Sequence, residues 1–230
     1  MNLAKPHLDV GLYVRDTEAA LAFWQQSAGA VFDHTLAIRR GLRQHRHDLF
    51  GSVLKINNSR ATLPDNAATG YCELLVARGD IGELQPLRDP EGNRVTLVPP
   101  GSFGVDKIGI RLAVRDLTAH RNFYGGALGL AEEEIEGFGA AFRAGDSILL
   151  LDESEDASGD AAIDGYGWRY ITFQIHKVDE EHAYALAHGA QEGLAPMTLG
   201  DTARISMIRD PDGNWIELSQ RASIVGSITA

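Results

Sequence analysis

The sequence predicts an α+β protein of two homologous halves, and three observations carry that reading. Residues 12–29 (LYVRDTEAALAFWQQSAG) return at residues 112–129 (LAVRDLTAHRNFYGGALG), at an offset of 100. Asp89-Pro90-Glu91-Gly92-Asn93 and the run Arg94-Val95-Thr96-Leu97 return as Asp210-Pro211-Asp212-Gly213-Asn214 and Trp215-Ile216-Glu217-Leu218, at an offset of 121. Between these landmarks short apolar runs broken by glycine or proline read as strands, with few helical stretches among them. A repeat of this kind sets architecture before any residue has a role. The halves fall at 1–101 and 105–221, with 222–230 as a C-terminal tail, and the first half carries a deletion.

Each element has a local cause. His7 to Val14 alternates and is rich in valine and leucine, so it reads as a strand. Thr17 is the expected N-cap of the next helix, with Glu18 in its first turn. Ala20, Leu21, Phe23 and Trp24 make its buried stripe, and Gly29 its C-cap. Strands follow at Val31–Ile38, Leu42–Leu49 and Ser52–Asn57, turned by Gly41 and Gly51. Residues 58–69 are a polar connection. Tyr71–Ala77 is a strand, and Arg78–Gln85 is too short for a helix plus a strand. A hairpin turns at Glu91-Gly92, and Pro99-Pro100-Gly101 links the halves. The second half repeats the plan in full. Its strands lie at Ile108–Val114, Ala141–Arg143, Ser147–Asp152, Arg169–His176, 192–198, 203–209 and Trp215–Ser219. Its helices are Leu117–Ala127 and Val178–His188. Residues 153–166 are acidic, bear glycine and read as a mobile loop.

Composition narrows the function classes. A net charge of −11 argues against a nucleic-acid backbone or an anionic membrane as partner. Cys72 is the only cysteine, which leaves no intrachain disulfide. The first ten residues lack the apolar core of a signal peptide, and no apolar run nears the roughly 20 residues of a membrane span. The expectation is a cytoplasmic protein, monomer or homodimer, with a small-molecule ligand.

The strand–helix–three-strand modules, the V-R-D opening with a helix ending F-[WY], and the closing D-P-[DE]-G-N resemble the vicinal-oxygen-chelate superfamily. That superfamily includes glyoxalases, bleomycin-resistance proteins, fosfomycin-resistance enzymes and extradiol dioxygenases. The resemblance spans nearly the whole chain. It implies two tandem glyoxalase-like domains built from βαβββ modules that curve into half-barrel cups, with the second module of the first domain abbreviated. It also implies metal-ligand positions. They fall on Asp9, Lys55, Tyr71 and Thr96 in the first half, and on Gly109, Leu150, Tyr170 and Glu217 in the second. Only Glu217 is the residue type expected, and a metal needs three or four N, O or S donors at one point. No cofactor is therefore predicted, with a divalent metal as the disfavoured alternative.

The candidate residues follow. Val53, Lys55 and Asn57 share a strand face, so Lys55 would stand where relatives hold a cation and could bind an enolate or carboxylate oxygen. Its bland reading is a solvated lysine, or one paired with Asp9. Glu217 is the candidate general base, Trp215 an apolar wall on its face, and Arg111 an anion binder or simply the ion-pair partner of Glu217. Tyr170, Thr172 and Gln174 line one face. His45 and His47 share a face opposite Gln44, Arg46 and Asp48. They either hydrogen-bond in a pocket or wet an edge strand, and with His7, Asp9 and Glu217 they form the fallback metal set. The function expected is isomerase- or lyase-type proton transfer, catalysed by Glu217 and Lys55, on a small oxygenated anionic or aromatic substrate. Asp9, His45, His47, Asn57, Arg111, Tyr170, Gln174 and Trp215 would bind it. The alternatives are a non-catalytic sequestering protein of the bleomycin-resistance type, and a dioxygenase or glyoxalase with non-standard ligands.

Overall fold

Both repeats turn from strand to helix on an aspartate. Asp16 accepts a hydrogen bond from Ala19 N at 3.0 Å, and Asp116 from Ala119 N at 2.9 Å. The N-cap is thus Asp16 and not Thr17, which is the first helical residue. Asp16 holds the extended backbone that an N-cap needs, and its carboxylate suits the positive helix end. At the other end the cap is Ser27, and Gly29 follows at φ 79°, as Gly129 does at φ 65°. That left-handed turn is why glycine sits there in both repeats.

The computed structural model describes residues 1–226 and 228. Part of the tail predicted over 222–230, residues 227, 229 and 230, lies outside the described residues; Ala222–Val225 forms one helical turn. The first module is β1 (Asp9–Val14), α1 (Thr17–Gln26), β2 (Val31–Arg39), β3 (Leu42–Leu49) and β4 (Ser52–Ser59). The second keeps β5 (Tyr71–Ala77), β6 (Gln85–Arg88) and β7 (Arg94–Val98), with no helix between β5 and β6. The third has β8 (Ile108–Val114), α2 (Leu117–Arg121) running into a π-helical turn at Asn122–Ala127, then β9 (Ala131–Glu133), β10 (Ala140–Ala144) and β11 (Ser147–Glu153). The fourth has β12 (Gly167–Gln174), α3 (Val178–Ala187), β13 (Gln191–Leu199), β14 (Ala203–Arg209) and β15 (Trp215–Arg221).

The sheets do not follow the halves 1–101 and 105–221. One eight-stranded sheet runs β13-β14-β15-β12-β1-β4-β3-β2, so the first module pairs with the fourth. One seven-stranded sheet runs β6-β7-β5-β8-β11-β10-β9, so the second pairs with the third. The junction strands are antiparallel, β1 on β12 and β5 on β8. The repeat boundary is a feature of sequence, because a sheet edge pairs with whichever equivalent edge lies beside it.

One apolar core joins both sheets and the helices, and it includes Leu12, Trp24, Ile56, Leu112, Tyr124, Phe142, Trp168 and Phe173. Trp24 and Trp168 meet edge to face at 5.6 Å. The repeated F-[WY] is therefore core, with Trp24 and Tyr124 fully buried. The other repeated landmarks clasp the sheets together. Asp89 Oδ1 accepts from the backbone N–H of Glu91 and Asn93, and Asp210 Oδ1 from those of Asp212 and Asn214, which shapes each D-P-x-G-N turn. Arg15 at the end of β1 then binds Glu91 at 2.7 Å, and Arg115 at the end of β8 binds Asp212 at 2.9 Å. Each clasp joins the opening strand of a module in one sheet to a turn of the other sheet.

Candidate functional site

The hairpin β3–β4 decides what faces the eight-stranded cup. Its turn pairs Leu49 with Ser52, hence Arg46 with Lys55 and Gln44 with Asn57. Residues directly opposite in an antiparallel pair share a face. Lys55 and Asn57 therefore bring Arg46 and Gln44 with them, and His45 and His47 lie on the reverse face. His47 is fully buried toward α1, with Nε2 3.1 Å from Gln25 Nε2, and His45 Nδ1 lies 3.0 Å from Thr35 Oγ1. Burial lowers the pKa of both rings. Neither reaches the cup.

At the cup floor Asp9, Thr172 and Glu217 line up across β1, β12 and β15. Lys55 lies 2 % exposed among them. Its Nζ donates to Glu217 Oε2 at 2.8 Å and to Thr172 Oγ1 at 2.7 Å, and Thr172 donates to the same Glu217 oxygen at 3.1 Å. Among the described residues Glu217 Oε1 has no hydrogen-bond partner, and the side chain keeps 12 % exposure. Burial pulls the Lys55 ammonium below its usual pKa, against the opposing charges of Glu217 and Asp9. Asp9 is fully buried and accepts from Lys5 Nζ, Val53 N and Gln174 Nε2 at 2.7, 2.8 and 2.9 Å. Burial alone would raise its carboxyl, but Lys55 and Lys5 hold it below the usual range.

Tyr170 sits one step along from Thr172, opposite Gly11. A Cβ at Gly11 would come within 2.2 Å of the Tyr170 ring, so only glycine lets the ring lie across β1. The ring centroid is 5.3 Å from Lys55 Nζ, and its hydroxyl accepts from Gln44 and Asn57, each at 3.2 Å. Burial raises the phenol pKa well above its ordinary value, reinforced by the Glu217 charge. Thr172, rather than Tyr170, thus stands level with Asp9 and Glu217. Trp215, Tyr13, Leu42 and Met207 complete an apolar wall.

Two connecting segments close over that wall. Leu63 from the first and Ile163 from the second pack against it. The second, which read as mobile, is anchored. Trp215 Nε1 donates to Ala161 O at 2.7 Å, and Asp160 N to Asp212 O at 2.6 Å. Arg169, 1 % exposed, donates to Ala67 O at 2.6 Å and Tyr166 O at 2.7 Å, and reaches Asn66 O and Ala162 O at 3.3 Å. One buried guanidinium ties both segments together.

Arg111 belongs to the other cup. It binds Glu73 and Asp152, each at 2.8 Å, and not Glu217. Thr96 and Arg94 complete the set around Glu73, at 2.6 and 3.1 Å. The rest of that floor is filled by Leu75, Val98, Val105, Ile148 and Leu150, and a Cβ at Gly109 would meet Val105 at 2.7 Å. The seven-stranded cup is packed shut. His7 is also remote from the floor, turned toward Asp146 with Nδ1 3.7 Å from its carboxylate.

The donors of the eight-stranded cup do not fit a divalent metal. Two carboxylates flank an ammonium instead of converging with neutral donors on one point. Among the described residues no three His, Cys, Asp or Glu side chains gather as a metal site. No helix is long and apolar enough to cross a membrane among those residues.

Comparison with known proteins places the fold. Residues 105–218 match the model of the Glyoxalase/Bleomycin resistance protein/Dioxygenase superfamily. No curated protein matches the chain. Among solved structures, glyoxalase I from Zea mays aligns with a TM-score of 0.72 at 14% identity, covering 93% of this chain and 92% of its own. A putative dioxygenase from Bacillus subtilis subsp. subtilis str. 168 aligns with a TM-score of 0.69 at 14% identity, covering 96% and 85%. At such identity the likeness is one of fold.

Proposed function

We propose, on the premise that residues 105–218 match the Glyoxalase/Bleomycin resistance protein/Dioxygenase superfamily, that the eight-stranded cup of this chain binds a small oxygenated anion and transfers a proton on it. The observation that carries the reading is the state of Glu217. One oxygen is held by Lys55 and Thr172, which orients the carboxylate, and the other is open to receive a proton. Glu217 takes a proton from carbon next to a carbonyl. The C–H electron pair moves to the carbonyl oxygen, and the Lys55 ammonium turns from Glu217 to hold the enolate. Return of the proton at another atom makes an isomerase, and departure of a β-substituent makes a lyase. The Tyr170 and Trp215 rings exclude water and suit a planar ligand.

The test is proton NMR in deuterated water with a panel of small oxo and hydroxy carboxylates and phenols. Exchange or conversion is expected with the native protein. It should fall about a hundredfold or more in Glu217→Gln. Unchanged rates in both Glu217→Gln and Lys55→Met would sink the assignment. Saturable binding with every ligand recovered intact would favour sequestration. The closed wall of Leu63 and Ile163 over the cup is the observation that favours this second reading.

A further inference from the structure

We propose that Arg46 and Arg221 form an anion subsite in the eight-stranded cup, and that the ligand presents a carboxylate to it. Arg46 is 4 % exposed, and its hydrogen bond is to the neutral side chain of Gln44, at 2.9 Å. Arg221 ends the strand face of Glu217 and Ser219, and its Nε is buried without a partner. Among the described residues no carboxylate lies within ion-pair distance of either guanidinium. Arg46 lies opposite Lys55, and Arg221 follows Glu217 and Ser219 on the same cup face; burial, with the Arg46 charge adding to it, holds the Arg221 guanidinium below its usual pKa.

A charge count sharpens the point. Around Asp9, Lys55 and Arg221 at the floor of this cup the cations are Lys5, Arg46, Lys55 and Arg221, and the anions are Asp9 and Glu217. Lys5 and Lys55 are hydrogen-bonded to the two carboxylates, which leaves both guanidiniums over. Buried charges are ordinarily paired, and an unpaired one is costly. Ser219 Oγ, 1 % exposed on the face of Arg221, also lacks a partner. Two guanidinium forks and a hydroxyl donor make a receptor for a planar anion with two oxygens. Arg39, Arg40 and Arg60 stand exposed around Gly41 at the end of the same sheet. With no carboxylate partners among the described residues, they give a locally positive approach on a chain of net charge −11.

This rests on the reading of the cup as the ligand site, and the test separates the two. Urea unfolding is followed at fixed ionic strength in chloride, in benzoate, in inorganic phosphate and with neutral benzamide. Benzoate should raise the midpoint of the native protein, and its apparent affinity should drop about tenfold or more in Arg46→Met and in Arg221→Gln. Benzamide should raise none. Arg121→Gln, at an exposed arginine paired with Glu132 outside the cup, should respond to benzoate as the native protein does. If either arginine variant fails to fold, Arg46→Lys, which keeps the charge and loses the fork, takes its place. The proposal is overturned if benzoate stabilises no form, or all forms equally. It is overturned as a carboxylate site if phosphate alone shows the arginine dependence. Arginine-dependent binding together with full turnover in Glu217→Gln would sink the catalytic role and leave the subsite standing.

Discussion

Lys55→Met is expected to cost about 3–5 kcal/mol of folding stability, far more than the lost contacts of one side chain. The reason is what stays behind. Glu217 loses its charged partner at 2.8 Å, and Asp9, fully buried, loses the larger of the two opposing charges that offset its burial. Removing both sides should undo most of the damage. Lys55→Met combined with Glu217→Gln is expected to be clearly more stable than the two single costs added together. A urea double-mutant cycle measures this, and strict additivity would mean that the pair is not coupled. The pH dependence has a definite sign. Asp9 is held below its ordinary 3.8, so it contributes stability above that pH, and the contribution fades as pH falls through the lower folded-state value. Without Lys55 the acid transition should move to higher pH.

Arg169→Met is expected to cost about 3–5 kcal/mol and to free two segments at once. Two charge-assisted bonds, at 2.6 and 2.7 Å, are counted at about 1.5–3 kcal/mol each. They tie Ala67 and Tyr166, so residues 60–69 and 153–166 should become protease-sensitive together. Limited proteolysis followed over urea concentration tests this. Cleavage of one segment with the other still protected would show that Arg169 does not join them. The side chains Leu63 and Ile163 would leave the Tyr170–Trp215 wall in the same event, so the cup should take up a planar anion faster in this variant.

The modular plan was legible because both repeat landmarks do mechanical work. The aspartates cap helices and shape turns, and the arginines clasp them. The missing helix in the second module was legible from the short span after Ala77. Which modules share a sheet was not, since equivalent edges carry no address. Lys55 and Glu217 could be singled out by alternation, and the structure puts them 2.8 Å apart across the repeat boundary. Arg46 carries no mark in the sequence beyond its place on the strand face opposite His45 and His47. The turn at Phe50-Gly51 sets the hairpin register, so Lys55 and His45 cannot both face inward. The resemblance points to Tyr170 as the ligand position of its strand, but Thr172 is the residue level with Asp9 and Glu217. A pairing of Arg111 with Glu217 follows from their common half, but the two lie in different sheets, and Arg111 binds Glu73 and Asp152. Nothing in the local pattern marks Arg169, whose partners are all main-chain carbonyls.

The module pairing is nested, first with fourth around second with third, and this imposes an order of assembly. Leu75 pairs with Gly109 across a short linker, whereas Asp9 pairs with Thr172 across most of the chain. Closing the inner loop first draws the ends of β4 and β12 together, so the long closure then costs little extra entropy. Pulse-labelled hydrogen exchange should find amides of β5 and β8 protected before those of β1 and β12, and the reverse order would contradict nesting. A ribosome releasing this chain has a complete seven-stranded sheet once Glu153 is out, and then must wait for β12 before the open edge of β1 can be paired. Until then the strand that carries Asp9 keeps an unpaired edge, which makes the nascent chain, rather than the finished protein, the form most open to aggregation.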